Sequence, residues 1–322
     1  MRVAFVVDPL TSLDPTIDTT IGLMAAVQDL GAEVWVTSGS RLSAVDGHAQ
    51  ADALRIRLAP SAPSQDHRWL VTQPWHTTVQ HDPGLSLDDM DAVFIRTEPP
   101  MDSAYLAATF VLDLIDPRRT AMVNDPVGLR ACSEHLFPLR YPDLIPATMV
   151  TADRTLITDF LATHKVAVLK PVDGFAGRGV LRLDITDPNV PSLLDICTDR
   201  GRTAVVVQEF LPDVEAGNKR VFVLDGIPVG AVLRLPAPGD FRIGNPIGEA
   251  PLTDRDRQIC TRLAPELRRL GLPMVGLDVI GPHLIEVNVT SPGALRKADA
   301  LLGWSLCRDV AERALTREGA SW

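Results

Sequence analysis

Apolar and polar positions switch between two periods along this chain of 322 residues, and the switches divide it into elements. Val3–Val7 is an unbroken apolar run stopped by Asp8-Pro9, the pattern of a buried strand. Asp18 stands where an N-cap belongs; Ile21, Met24, Val27 and Leu30 follow at near-helical spacing, and Gly31 ends the segment. Glu33–Thr37 reads as a second strand, so the chain opens with a βαβ unit. Residues 38–88, with Pro60, Pro63, Pro74 and Pro83, carry no clear period and predict an irregular, solvated stretch. A strand over Ala92–Arg96, a helix over Ser103–Ile115 and a strand over Ala121–Asn124 complete an open α/β domain. Its first strand is not followed by GxGxxG, which removes the main support for a dinucleotide site.

The middle of the chain centres on VAVLKPVDGFAGRGVLRLD, residues 166–184. Two apolar strands flank a loop holding Gly174, Gly177 and Gly179, which makes the loop a flap; a P-loop or a Rossmann turn would open a helix instead. Glycines let backbone N–H groups approach a phosphate, and Lys170 at the end of the first strand adds a point charge. A plain hairpin with a glycine turn fits the same residues. Ala204–Leu211 predicts another buried strand, whose edge suits an adenine and whose Glu209 suits ribose hydroxyls. Lys219-Arg220 lead into VFVL, an Asp225-Gly226 turn and a returning strand to Arg234; a two-residue turn there puts Arg220 and Arg234 on opposite faces. A Pro- and Gly-rich loop and a helix over Asp254–Leu270 follow.

The last hairpin, Val275–Ile280 and Leu284–Val289 around Gly281-Pro282, carries the densest chemistry. Alternation sets Glu286 and Asn288 on one face. With a two-residue loop Asp278 faces Ile285; with a three-residue loop it faces Glu286, and three oxygen side chains then share a face with no cation near them in sequence. Such a set suits Mg²⁺ or Mn²⁺, and it also fits a half-exposed hairpin whose polar residues face water. Ser291-Pro292 predicts the cap of a final helix with Arg296 and Lys297 in its first turns.

Composition narrows the classes. A formal net charge of −10 with no basic run excludes a nucleic-acid or anionic-membrane partner, though not a nucleotide, which needs only a few local cations. Cys132, Cys197, Cys260 and Cys307 are widely spaced and read as reduced thiols of a cytoplasmic protein. No apolar run reaches membrane-spanning length, and MRVAFVV is too short for the core of a signal peptide. No serine triad, GxSxG or nucleophilic cysteine motif is present.

In order, the glycine flap preceded by KP, the QEFLP strand, KRVFVLDG and GLDVIGPHLIEVNVTSPG resemble the bacterial glutathione synthetases of the ATP-grasp superfamily. The DPL start, FIRTEPP and NDPVGLRACSEHLF resemble that family's preceding domain. The resemblance implies an α/β protein with an ATP-grasp fold behind an open α/β (pre-ATP-grasp) domain: residues 1–124 on the substrate side, 125–204 as the central flap domain, and 205–322 as the C-terminal domain with the metal site. It implies a cytoplasmic carboxylate–amine ligase, a homo-oligomer acting on amino-acid or dipeptide substrates. In it ATP converts a carboxylate to an acyl phosphate, which an amine then attacks. By the same resemblance Lys170 and Gly174–Gly179 meet the ATP phosphates, and Gln208, Glu209, Phe210 and Leu211 border the adenine. Asp278, Glu286 and Asn288 hold Mg²⁺; Arg220 and Arg234 serve the acyl phosphate; Asp18, Arg96 and Arg296 bind substrate.

Three departures touch the site. His135, in SEHLF, stands where the family has a lysine that reaches ATP. The acceptor-side loop PAPGDFRIGNPIGEAPLT is short and lacks a Gly-Gly-Arg-Gly run, and Gly293-Ala294 replace larger or polar residues. They predict a ligase that joins a glutamate or glutamyl carboxylate to a free amino acid in preference to γ-glutamylcysteine and glycine. A true glutathione synthetase is the alternative, and a non-catalytic nucleotide-binding regulator, motivated by His135, is the third reading.

Overall fold

A parallel spine opens the structure, a computed structural model that describes residues 1–174 and 177–316. Strand β1 (Arg2–Val6) pairs in parallel with β2 (Glu33–Thr37) on one side. The intervening helix α1 (Thr19–Asp29) is capped by Asp18, whose carboxylate accepts from Thr20 N and Ile21 N. The next segment departs from the sequence reading. Residues 38–88 form β3 (Leu42–Val45), the long strand β4 (His48–Leu58), the small hairpin β5 (Ser61–Pro63) with β6 (Trp69–Val71), and β7 (His76–Ser86). β4 lies antiparallel to β2, β3 and β7. Its buried positions are Ala49, Ala51, Ala53, Ile56 and Leu58; alanines too small to mark an apolar face carry its first half, and β7 is exposed along most of its length, so only the Leu54–Leu58 end of the pair shows apolar alternation. β8 (Ala92–Ile95) pairs in parallel with β1 and β9 (Ala121–Val123) with β8, joined by α2 (Ser103–Leu112). α3 (Pro126–Ala131) follows with Asp125 as its cap.

The central sheet comprises β10 (Thr148–Thr151), β11 (Val166–Pro171), β12 (Leu181–Asp184) and β13 (Val205–Glu209), in the order β10-β13-β11-β12. Two helices, α4 (Arg154–His164) and α5 (Val190–Cys197), accompany it. β13 is bonded to both β10 and β11, so the boundary expected at 204/205 falls just ahead of a strand that belongs to this sheet. β11 and β12 are the antiparallel arms of the glycine loop, whose Phe175 and Ala176 lie outside the described residues.

The last sheet runs β16-β15-β14-β17-β18. It contains β14 (Asn218–Leu224), β15 (Ile227–Pro236), β16 (Ile243–Glu249), β17 (Met274–Ile280) and β18 (His283–Asn288), with α6 (Asp254–Arg269) between β16 and β17. Both hairpins turn in two residues, and both then take in one extra residue. In β14–β15 the pairs Leu224↔Ile227 and Val223↔Pro228 give way to Phe222↔Gly230, leaving Val229 as a bulge. That bulge brings Arg234 opposite Asn218, on the face of Arg220, and overturns the expectation of opposite faces. In β17–β18, Ile280↔His283 and Val279↔Leu284 give way to Asp278↔Glu286, with Ile285 bulged. Asp278 therefore meets Glu286 across a two-residue turn, a combination outside both sequence alternatives. α7 (Leu295–Leu302) starts at Ala294, which is left-handed (φ 77°) and makes no side-chain cap, so Ser291-Pro292 is not the expected cap. α8 (Leu306–Leu315) packs back on α1.

The apolar interior is shared unevenly. One cluster joins Trp35, Val93 and Leu129 to Val221, Leu263 and Leu277; a second joins Phe5, Leu23 and Phe94 to Phe222, Leu295 and Val310. The N-terminal and C-terminal sheets are thus packed through common cores. The central sheet has a core of its own, built from Ile157, Leu161, Leu169, Leu183, Leu194 and Val207.

Candidate active site

A cavity of about 390 Å³ opens between the central sheet and the last sheet. Its size is that of a small-molecule or cofactor site. One end is apolar, lined by Val168, Val180, Phe210, Leu211 and Ile280, with Gln208 and Glu209 at its edge. Gln208 donates from Nε2 to Thr148 Oγ1 at 2.9 Å. The other end gathers Lys170, Arg220, Arg234, Asp278, Glu286 and Asn288.

Strand register assembles that polar end. Arg220 on β14 lies opposite Asp278 on β17, which lies opposite Glu286 on β18. Arg220 Nε is 2.5 Å from Asp278 Oδ1 and Nη2 is 3.1 Å from Oδ2; Arg234 Nη2 is 2.7 Å from Oδ1. Burial by itself raises the Asp278 carboxyl, but the two guanidinium groups override it and hold the group far below the usual carboxylate range. The cations that neutralise Asp278 thus come from the neighbouring strands β14 and β15. Asn288 accepts from Arg220 Nη2 at 3.2 Å and donates to Gly276 O at 3.0 Å. Glu286, raised by burial, is brought below its ordinary value by His135, whose Nε2 is 3.4 Å from Oε1, and by Lys170. His135 is fixed from its other nitrogen, Nδ1 lying 2.7 Å from Pro171 O. Lys170 is buried; desolvation lowers its ammonium, and Glu286 and Asp278 act in the opposite sense.

The glycine loop forms the cover. Gly174 and Gly177 line the cavity, whereas Gly179 turns the loop (φ 71°) close against Pro171. The acceptor-side loop meets it: Arg242 lies alongside Gly177, and the Phe241 ring packs edge-on to Phe210 with centroids 6.3 Å apart.

The residue order of this site is that of a known family. The profile "Prokaryotic glutathione synthetase, N-terminal domain" matches residues 1–130, and "Prokaryotic glutathione synthetase, ATP-grasp domain" matches residues 134–303. The chain belongs to the prokaryotic glutathione synthetase family. Relatives named glutathione synthetase include one from Nostoc sp., 43% identical with 96% of each chain covered. Another, from Thermosynechococcus vestitus, is 44% identical with 96% of this chain and 98% of the relative covered. Among solved structures the fold is similar to D-cycloserine synthetase DcsG (TM-score 0.65, 16% identity, 98% of this chain and 100% of that one). It is also similar to the macrocyclase MdnC from Microcystis aeruginosa (TM-score 0.62, 15% identity, 98% and 100%). The protein is an ATP-grasp carboxylate–amine ligase.

Three residues that the resemblance placed on the substrate do not reach this cavity. Asp18 is engaged in capping α1. Arg96 is buried behind the cleft, with Nε donating to Thr20 Oγ1 at 3.2 Å, and the cavity is lined instead by Glu98 and Pro99. Arg296 points to a different cavity, because consecutive helical residues diverge by about 100°; its neighbour Lys297 lines the cleft. Conversely, three contributors carry no sequence signal. Asn218 holds Arg234 through Oδ1. Glu134 accepts from Val289 N, Thr290 N and Thr290 Oγ1 at 2.8, 2.9 and 2.9 Å, fixing the end of β18. Gly276 leaves room for the Arg220 side chain, since a Cβ there would stand 3.0 Å from its Cδ.

Proposed function

We propose that this ligase is a glutathione synthetase, forming the peptide bond between the cysteinyl carboxylate of γ-glutamylcysteine and the amine of glycine through an acyl phosphate. The observation that carries the chemistry is the pairing of an apolar edge with a buried cluster of Lys170, Arg220 and Arg234 beneath a glycine cover. A carboxylate is a poor acylating group, and its phosphorylation concentrates negative charge that fixed cations stabilise. Lys170 and the backbone of Gly174 and Gly177 bind the ATP phosphates, and Gln208 to Leu211 border the adenine. Arg220 and Arg234 orient the carboxylate and the transferring phosphoryl group. Their ties to Asp278 and Asn218 fix both guanidinium groups before substrate arrives. The cover excludes water from the acyl phosphate.

Asp278, Glu286 and Asn288 present hard oxygen donors on one face, and they fit Mg²⁺. Among the described residues no three His, Cys, Asp or Glu side chains gather as a ligand set. An ion held there would supply charge neutralisation at the ATP phosphates.

Full-length similarity to proteins named glutathione synthetase favours γ-glutamylcysteine plus glycine over the other pairing of a glutamate or glutamyl carboxylate with an amino acid that the short loop and Gly293-Ala294 suggest. The deciding experiment is ADP release with product mass, comparing γ-glutamylcysteine plus glycine with glutamate or γ-glutamylcysteine plus a panel of other amino acids. A higher kcat/KM for γ-glutamylcysteine plus glycine is expected. A clear preference for another pairing overturns the substrate assignment, and an absence of ADP release from any pairing overturns the catalytic one.

A further inference from the structure

A second cavity, of about 300 Å³, lies between α1, Ser61 and Trp69 of the small hairpin region, and α7 and α8, and shares no lining residue with the cleft. Its wall holds Arg296, which is only 2% exposed. The guanidinium is poorly satisfied: Nε has no hydrogen-bond partner, and Nη2 reaches Ser61 Oγ at 3.5 Å, the limit of a hydrogen bond. Asp29, Asp299 and Arg308 line the same cavity, and none of the acidic groups that act on Arg296 is hydrogen-bonded to it: each is engaged elsewhere. Asp18 caps α1, Asp14 pairs with Arg68, and Asp299 accepts from Leu306 N and Cys307 N. A buried cation without a counter-ion is costly, and a cavity beside it admits the missing anion. The arginine is also rigidly presented. The Trp69 indole lies 4.6 Å from its guanidinium carbon, and Trp69 Nε1 donates to the Arg296 carbonyl at 2.9 Å. Trp304 supplies a further apolar wall.

We propose that this cavity is a binding site for a small organic carboxylate, anchored by the Arg296 guanidinium and separate from the catalytic cleft. The aromatic walls favour an anion with an apolar body over a bare inorganic ion. The site stands independently of the substrate assignment above.

Trp69 and Trp304 make occupancy readable by tryptophan fluorescence on the full chain. The probes are succinate, L-glutamate and reduced glutathione, with inorganic phosphate as an anion that lacks a carboxylate. A saturable change with at least one carboxylate is expected. In Arg296→Met and in Ala25→Leu, which fills the cavity and leaves the guanidinium in place, that affinity should fall by at least about tenfold. Thermal unfolding checks that each variant is folded, and Ala25→Leu decides the matter if Arg296→Met is not. Affinity within about twofold of wild type in folded Ala25→Leu overturns the site. So does the lack of a saturable response to any carboxylate, or a response to phosphate alone.

Discussion

Asp278 has two duties, and they are separable by experiment. Its carboxylate neutralises Arg220 and Arg234 and also stands among the proposed metal donors. Asp278→Asn should therefore abolish ligation and also destabilise the fold by about 3–5 kcal/mol, because it strands two buried guanidinium groups. Glu286→Gln should abolish turnover at a smaller stability cost, since its partner His135 is a weaker, 3.4 Å contact. Denaturant titration beside ADP release tests the pair, and equal stability losses would count against the distinction. The sign with pH follows from the depressed Asp278 carboxyl. Its contribution is present above the ordinary carboxylate range and is lost as pH falls through the lower folded value, so Asp278→Asn should flatten the acid limb of stability. At His135, substitution by lysine should keep or lower the ATP KM, because a longer cation enters the same phosphate end. Loss of turnover with unchanged ATP affinity would give the imidazole a role of its own. Lys170, Arg220, Arg234, Asp278 and Glu286 were named from residue type and order, and the fold gathers them around one cavity; Asp18, Arg96 and Arg296 were named with them and lie outside it. Asn218, Glu134 and Gly276 were not named, because each acts through a contact that strand pairing alone creates.

At the scale of elements, strand and helix identity was readable wherever apolar residues kept their period. It failed at the first half of β4, where alanines take the buried positions, and at β7, whose residues are mostly exposed; the alternation of Leu54, Ile56 and Leu58 was present but unread. Facing was harder than identity. Counting residues from each turn gives the wrong partner in both C-terminal hairpins, because Val229 and Ile285 each add one residue to one arm. Without the first bulge Arg234 leaves the cleft; without the second, Glu286 moves out of line with Asp278. Close approach of the strands' side chains gives the third prediction. Gly276→Ala introduces a Cβ about 3.0 Å from Arg220 Cδ and 3.1 Å from Nη1. The displaced guanidinium should cost about tenfold or more in kcat, with a stability loss of about 1–3 kcal/mol from overpacking. Turnover at the wild-type rate would mean that Arg220 does not need its present place.

For the whole molecule, the cores matter more than the sheets. Three segments were expected from sequence, but packing joins the first and third through shared apolar clusters. Asn124 ties them further, its side chain donating to Met274 O and Val289 O and accepting from Met274 N. That long-range junction has no local period and could not be read in advance. The central sheet, with a separate core within a segment of about 60 residues, is near the lower size at which a domain is stable alone. In calorimetric terms the protein should behave as two cooperative units of unequal strength. The ligand-free protein should lose the smaller one first, as a shoulder at lower temperature. Because ATP contacts both sides of the cleft in the proposed mode, saturating nucleotide should raise the first transition towards the second. A single transition that nucleotide leaves unmoved would show the central sheet melting as part of the rest, and the separate core would then confer mobility without independent unfolding.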